Sequence, residues 1–344
     1  MNRHADGVSL GILLALSVLI SACASPQAAD FKSVPAPSAF KPWGYFGTSP
    51  ESFWWHEKVQ VDALHKVAKK LGEKRTVAIL DTGFLKGHED MDPANVDPSG
   101  VEFCSGNMTN AFDDFSGHGT ALAGITLGKD KGAGLATGGV APKAKLLTFK
   151  VVCGVSNSES VIKGVELAAV ADKKVDVILL ALGPWPSDVI NGKNVHQRLE
   201  DLVPKYPDIL FVVASVWDGR TSYTLPDGRT YNFPPWTQLN NVLLVAGMTL
   251  DGADEIEYSD KSGQIWAPAR DVETASIEGM PGKHAKFLMQ GTSAAAAIVA
   301  GCAAAVKLDA EKAAPLKDRL VRTAARTLPG AKPRLNCYAT AAAP

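Results

Sequence analysis

The sequence predicts an α/β fold in which a mostly parallel central sheet carries helices on both faces, giving three layers. Two observations carry that expectation. Several short runs are apolar on both faces, as strands inside a parallel sheet tend to be. Helical stretches lie between them, and strand–helix alternation is the pattern of a sheet sandwiched by helices.

In chain order, Val61 to Leu71 has helical periodicity. Thr76 to Leu80 is a short buried strand, followed by strands over Lys145 to Val152, Val175 to Leu182, Ile209 to Ser215 and Asn241 to Gly247. Helices are expected over His118 to Leu127, Ser158 to Lys173 and Val195 to Val203, with a final small-residue helix from Thr292 to Lys307. Active sites of such sheets lie at the carboxyl ends of the strands.

The chain has 344 residues, 46% of them hydrophobic and 21% charged, which suits one large globular domain or two ordinary ones. Its net charge of -1 gives no bulk attraction to nucleic acid, so no nucleic-acid partner is expected.

The first residues do not belong to the fold. Arg3 and His4 precede an apolar run from Gly7 to Ala22 that is too short for a membrane span, so residues 1–22 read as a signal peptide. Ile20-Ser21-Ala22-Cys23 resembles the bacterial lipobox, in which the cysteine is lipidated and becomes the mature N-terminus. That resemblance implies a lipoprotein with Cys23 as the lipidated residue, palmitate among its chains, and attachment to the membrane through the lipid. Ala24 follows rather than Asp, which favours the outer membrane, facing periplasm or cell surface, in a double-membrane bacterium. The other reading is an ordinary signal peptide cut nearby, with Cys23 incidental. Residues 23–52, rich in Pro, Ser, Ala and Gly, read as a flexible tether. The folded domain is expected over 53–344, opening on Phe53-Trp54-Trp55.

Four further cysteines, Cys104, Cys153, Cys302 and Cys337, permit two disulfides in an exported chain. Of the three pairings, Cys104–Cys153 and Cys302–Cys337 would each tie a loop locally. The sequence has no C-x-x-C spacing to suggest a metal site.

Three short motifs carry the chemistry. Asp81-Thr82-Gly83 ends a buried strand, His118-Gly119-Thr120 opens a helix, and Gly291-Thr292-Ser293 opens the small-residue helix. Each alone reads as readily as a turn, a surface group or a helix cap. Together they supply an oxygen nucleophile, a base to take its proton and a carboxylate to orient the base, which acyl transfer needs. A helix N-terminus at Ser293 also offers backbone N–H groups to an oxyanion. Asp-Thr-Gly occurs in aspartic peptidases too, but they need two such carboxylates and the chain has no second copy.

The motifs resemble those of the subtilisin family, the subtilases, in which the triad runs Asp, His, Ser. Val77-Ala78-Ile79-Leu80-Asp81-Thr82-Gly83 resembles the Asp motif, and His88-Glu89-Asp90-Met91 the segment that often follows it. His118-Gly119-Thr120-Ala121-Leu122-Ala123-Gly124 resembles the His motif, and Gly139-Val140-Ala141-Pro142-Lys143-Ala144 the G-V-A-P-x-A segment. Trp266-Ala267-Pro268-Ala269 resembles the later A-P-G segment. Gly291-Thr292-Ser293-Ala294-Ala295, with Val299-Ala300-Gly301 after it, resembles the Ser motif. The resemblance covers about residues 53 to 325 and implies a three-layer subtilisin-like fold. It implies a serine endopeptidase with Asp81, His118 and Ser293 as catalytic triad, an acyl-enzyme intermediate, and a peptide or protein as substrate. It also implies that the backbone of Ala181-Leu182-Gly183 pairs with the extended substrate. No cofactor is expected. Calcium is common in the family, but no EF-hand-like pattern gives it a place here. Only about thirty residues separate Cys23 from the fold, so a conventional foldase propeptide is not expected.

Three positions depart from the family. Where subtilases carry an oxyanion-hole Asn, gapless alignment on Val212-Val213-Ala214 puts Asp218, with Trp217 in place of a Gly. Ionised, Asp218 would repel the oxyanion; protonated, it could donate to it beside the Ser293 backbone N–H. Some relatives are active with Asp at this position, and Asp218 also reads as an ordinary turn residue before Gly219. Ala297 replaces a Pro of the Ser helix, and Pro184 follows Gly183 on the substrate segment. Trp217 and Pro184 read either as narrowing the specificity pocket or as core residues. The alternative to a peptidase is a catalytically weak or inactive subtilase-fold lipoprotein that binds peptide or protein at its cleft.

Overall fold

The structure, a computed structural model, describes residues 44–46, 54–68, 70–103, 111–129, 138–153, 155–156, 158–182, 185, 188–215, 223–224, 230–231, 235–251, 254–257, 263–277, 287–325 and 332–343. Cys23, Cys104, Gly183, Pro184, Trp217 and Asp218 lie outside the described residues.

The main strands are β1 (Gly44–Phe46), β2 (Thr76–Asp81), β3 (Val101–Glu102), β4 (Lys145–Lys150), β5 (Val177–Leu180), β6 (Leu210–Ala214), β7 (Val242–Asp251), β8 (Asp254–Glu257), β9 (Ile265–Pro268), β10 (Val272–Thr274) and β11 (Phe287–Met289). The helices are α1 (Trp54–Lys58), α2 (Val61–Val67), α3 (His118–Leu127), α4 (Ser158–Ala168), α5 (Val195–Leu202), α6 (Thr292–Val306), α7 (Ala313–Arg322) and α8 (Cys337–Ala342). The central sheet runs β8-β7-β6-β5-β2-β4-β3, with β9 also on β7. Its pairings are parallel except β7–β8.

The pleat divides the apolar residues into two cores. Val77 and Ile79 of β2 pack with α2, α3, α6 and α7, whereas Ala78 and Leu80 pack with α4 and α5. Successive residues of one strand therefore serve opposite layers, which is why these strands read as continuous apolar runs. The sheet has helices on both faces, as expected.

Two helices are apolar all round because they run inside a core. In α3 every residue except His118 is buried. In α6 every residue except Ser293 and Ala305 is buried. Small side chains allow the two helices to touch: a Cβ on Gly301 would meet the Thr126 carbonyl oxygen at 3.0 Å. The Thr126 hydroxyl bonds the Ala297 carbonyl oxygen at 3.1 Å.

Several boundaries differ from expectation. The helix expected over Val61 to Leu71 stops at Val67, and Leu71 has a φ of 38°, which no right-handed helix accepts. The strand from Lys145 ends at Lys150, opposite Asp81, and Val152–Cys153 instead pairs with Val155–Ser156. β7 runs to Asp251, because its second half gains β8 and β9 as partners. The tether expected over 23–52 is interrupted by β1, which pairs antiparallel with β11, Gly44 opposite Met289 and Phe46 opposite Phe287.

The expected Cys302–Cys337 disulfide is corrected. Both residues are buried free thiols, side by side on α6 and α8 and hydrogen-bonded to each other. Burial and the neighbouring thiol push the Cys337 pKa well above the ordinary value, so the thiolate that disulfide exchange requires is disfavoured. Cys153 is in a disulfide.

Candidate active site

The site is assembled at the carboxyl ends of β2 and β5. Asp81 is the last residue of β2 and is buried. Its Oδ1 accepts from the Thr82 backbone N–H at 2.8 Å and from Nδ1 of His118 at 2.7 Å. A carboxylate only accepts, so the imidazole proton sits on Nδ1 and Nε2 carries the ring's lone pair. Burial works against a charged His118, but the charge and hydrogen bond of Asp81, with the charge of Asp114, prevail and hold its pKa above the ordinary 6.5. His196 has the opposite character. Burial pushes the pKa of His196 down to about 3, and its Nδ1 accepts from Nε1 of Trp236 at 3.1 Å.

Glycine brings the His118 helix onto the strand end. Gly83 has a φ of 112°, and Gly117, which caps α3, has a φ of 82°. Gly117 has no side chain with which to cap, so the free N–H groups of the first turn find acceptors elsewhere. Gly119 N–H donates to the Thr82 hydroxyl at 2.9 Å and Thr120 N–H to Asp114 Oδ2 at 2.8 Å. Gly117 N–H donates to Asp114 Oδ1 at 2.8 Å.

Ser293 lies in the first turn of α6 after Gly291, whose φ of 112° suits glycine. Gly291 N–H donates to the Ala269 carbonyl at 2.7 Å, which holds the Trp266-Ala267-Pro268-Ala269 segment against the serine turn. The Thr292 hydroxyl donates to the Ser215 carbonyl at 2.7 Å, tying the end of β6 to the same turn. The Ser293 hydroxyl donates to the Ala181 carbonyl at 3.4 Å. Ala181 directly follows β5, and β5 is the strand beside β2, with Ile79 opposite Leu179. The Ser293 hydroxyl thus reaches the strand end that neighbours Asp81. Ala181 and Leu182 turn buried side chains into opposite cores.

The sequence reading singled out Asp81, His118, Ser293, Ala181 and Leu182 but missed Asp114. A signal was available: a helix capped by glycine needs an acceptor from nearby, and Asp114 is three residues upstream of that glycine.

The family profile described as Subtilase family (Peptidase_S8) matches residues 72–337. The chain belongs to the subtilase family. This subtilase is 30% identical over 240 residues to the major intracellular serine protease of Bacillus subtilis (strain 168), covering 69% of each chain. It is 26% identical over 275 residues to subtilisin E of the same organism, covering 78% of this chain and 64% of that one. Among solved structures, MycP1 with its N-terminal propeptide removed superposes with a TM-score of 0.64 at 22% identity, covering 84% of this chain and 96% of MycP1. Fervidolysin from Fervidobacterium pennivorans, a keratinolytic enzyme related to subtilisin, gives 0.65 at 21% identity, covering 85% of this subtilase and 46% of fervidolysin. At those identities the two structures speak for the fold, which is the subtilisin-like α/β fold. The subtilase is a subtilisin-like serine peptidase, a hydrolase acting on peptide or protein. Among the described residues no group of three or more His, Cys, Asp or Glu side chains is arranged to hold a metal ion.

Proposed function

We propose that this subtilase is an endopeptidase that cleaves through Asp81, His118 and Ser293 while anchored to the cell envelope by a lipid on Cys23. The observation that carries the chemistry is the 2.7 Å bond from His118 Nδ1 to Asp81, made where α3 and α6 leave His118 and Ser293 only partly buried in their first turns. His118 Nε2 takes the proton of Ser293 Oγ as the oxygen attacks the scissile carbonyl, and later returns it to the leaving amine. Asp81 keeps the ring in the required tautomer and stabilises the imidazolium. The Ser293 N–H stabilises the oxyanion, with Asp218 as the second donor when protonated. The backbone of Ala181, Leu182 and Gly183 pairs with the extended substrate. Water then releases the acyl group from Ser293.

The anchor rests on the sequence Ile20-Ser21-Ala22-Cys23, and the outer membrane is favoured by Ala24. Cys104 is the proposed partner of Cys153, a pairing suited to an exported chain.

One experiment addresses both parts. A fluorophosphonate probe applied to membrane and soluble fractions should label the native protein in the membrane fraction. Ser293→Ala should abolish the label, and Cys23→Ser should shift it to the soluble fraction. An unlabelled native protein would sink the catalytic reading, and an unmoved Cys23→Ser label would sink the anchor.

A further inference from the structure

We propose that Asp114 is a positioning residue for the His118 base, clamping the Asp81 strand end and the His118 helix into fixed alignment. The inference rests on the triad reading and extends it to Asp114, whose hydrogen bonds go to Thr82, Gly117 and Thr120.

Asp114 is buried, and its two carboxylate oxygens accept four hydrogen bonds. Oδ1 takes the Thr82 hydroxyl and the Gly117 N–H, each at 2.8 Å. Oδ2 takes the Thr120 N–H at 2.8 Å and the Thr120 hydroxyl at 2.7 Å. Thr82 belongs to the strand end, whereas Gly117 and Thr120 belong to the start of α3. The carboxylate therefore joins the two elements that must meet for Asp81 to reach His118. Thr82 completes the join, since its hydroxyl also accepts the Gly119 N–H at 2.9 Å. The residues on either side of His118 are thus each held by this cluster, Gly117 by Asp114 and Gly119 by Thr82. Thr120 Oγ1 in turn accepts the Leu85 N–H at 2.9 Å, extending the clamp into the loop after Gly83.

The buried carboxylate also acts on His118 through its charge, in the same sense as Asp81. Among the described residues, Asp81 from β2 and Asp114 from the loop are charged groups that act on the ring. Lys150, at the end of β4, gives its ammonium to the Asp113 carbonyl at 2.6 Å and lies over the Phe115 ring. Asn in place of Asp114 keeps the shape but loses the charge, and its amide nitrogen cannot accept a hydrogen bond.

The test is fluorophosphonate labelling of the full chain across the acidic to neutral range, separating kinact from KI. Asp114→Asn should lower kinact by roughly a hundredfold, the scale of a catalytic group displaced by about 1 Å, with KI unchanged. Its acidic limb should also move to lower pH, because a negative charge near His118 is gone. Native kinact would overturn the proposal. So would a fall in kinact with an unmoved limb, which is what mere loosening of the loop gives. Should thermal melting show that Asp114→Asn does not fold, Thr82→Val replaces it, removing the hydroxyl between Asp114 and Gly119. A lower kinact is then expected, and native kinact again overturns the proposal. A native protein that is never labelled overturns the triad reading and this inference together.

Discussion

Gly119 stands so close to Gly83 that a Cβ built on it would lie 2.1 Å from the Gly83 carbonyl oxygen. The strand end carrying Asp81 and the helix carrying His118 are in backbone contact at this point. Gly119→Ala must therefore push the two apart. It should cost about 1–3 kcal/mol of stability by overpacking, read by denaturant titration. Turnover should fall by roughly a hundredfold, because the His118 ring is carried away from Asp81. Native turnover in a folded Gly119→Ala protein would show that this contact does not set the alignment.

A pH dependence follows from His118 as the proposed base. The base works only when neutral, so turnover is lost as pH falls through its pKa. Asp81 and Asp114 hold that pKa above the ordinary 6.5 despite burial, so the acidic limb of kcat/KM should lie above 6.5. Asp81→Asn removes the larger of the two raising charges and favours the wrong tautomer. It should lower kcat by about 10⁴-fold and move the limb of the residual activity to lower pH. A limb unaffected by Asp81→Asn would mean that another group titrates.

Asp218, in its proposed oxyanion role, sets an opposite requirement. It can donate to the oxyanion only when protonated, whereas His118 must be deprotonated. With that role the native enzyme is expected to work in a narrow band, best toward its acidic side. Asp218→Asn should raise turnover at neutral pH by up to roughly a hundredfold, the scale of one oxyanion donor, and flatten the alkaline fall. A mutant slower at every pH would show that Asp218 does not serve the oxyanion.

The sheet was legible in the sequence because its strands are buried on both faces. Val77 and Ile79 serve one core and Ala78 and Leu80 the other, so all four positions must be apolar. The helix His118–Leu127 was legible to the residue, since its first member is the only one not buried. β1 was not legible. Three residues, Gly-Tyr-Phe, become a strand only by pairing with β11, whose residues lie more than two hundred positions away. The role of Asp114 was hidden for a similar reason, because Thr82 comes to it from another part of the chain. Spacing also placed Cys302 beside Cys337 correctly, yet adjacency alone does not decide between two thiols and a bond.

β1 also changes how far the cleft can work from its anchor. Its pairing with β11 fastens Gly44, upstream of Phe53, to the peptidase. If Cys23 carries the proposed lipid, only about twenty residues separate it from β1, a span of at most roughly 70 Å. A proposed anchor of that length would keep the enzyme within a thin shell above the bilayer. Substrates must come to that shell, so proteins held in or against the same membrane would meet the cleft far more often than those diffusing freely beyond it.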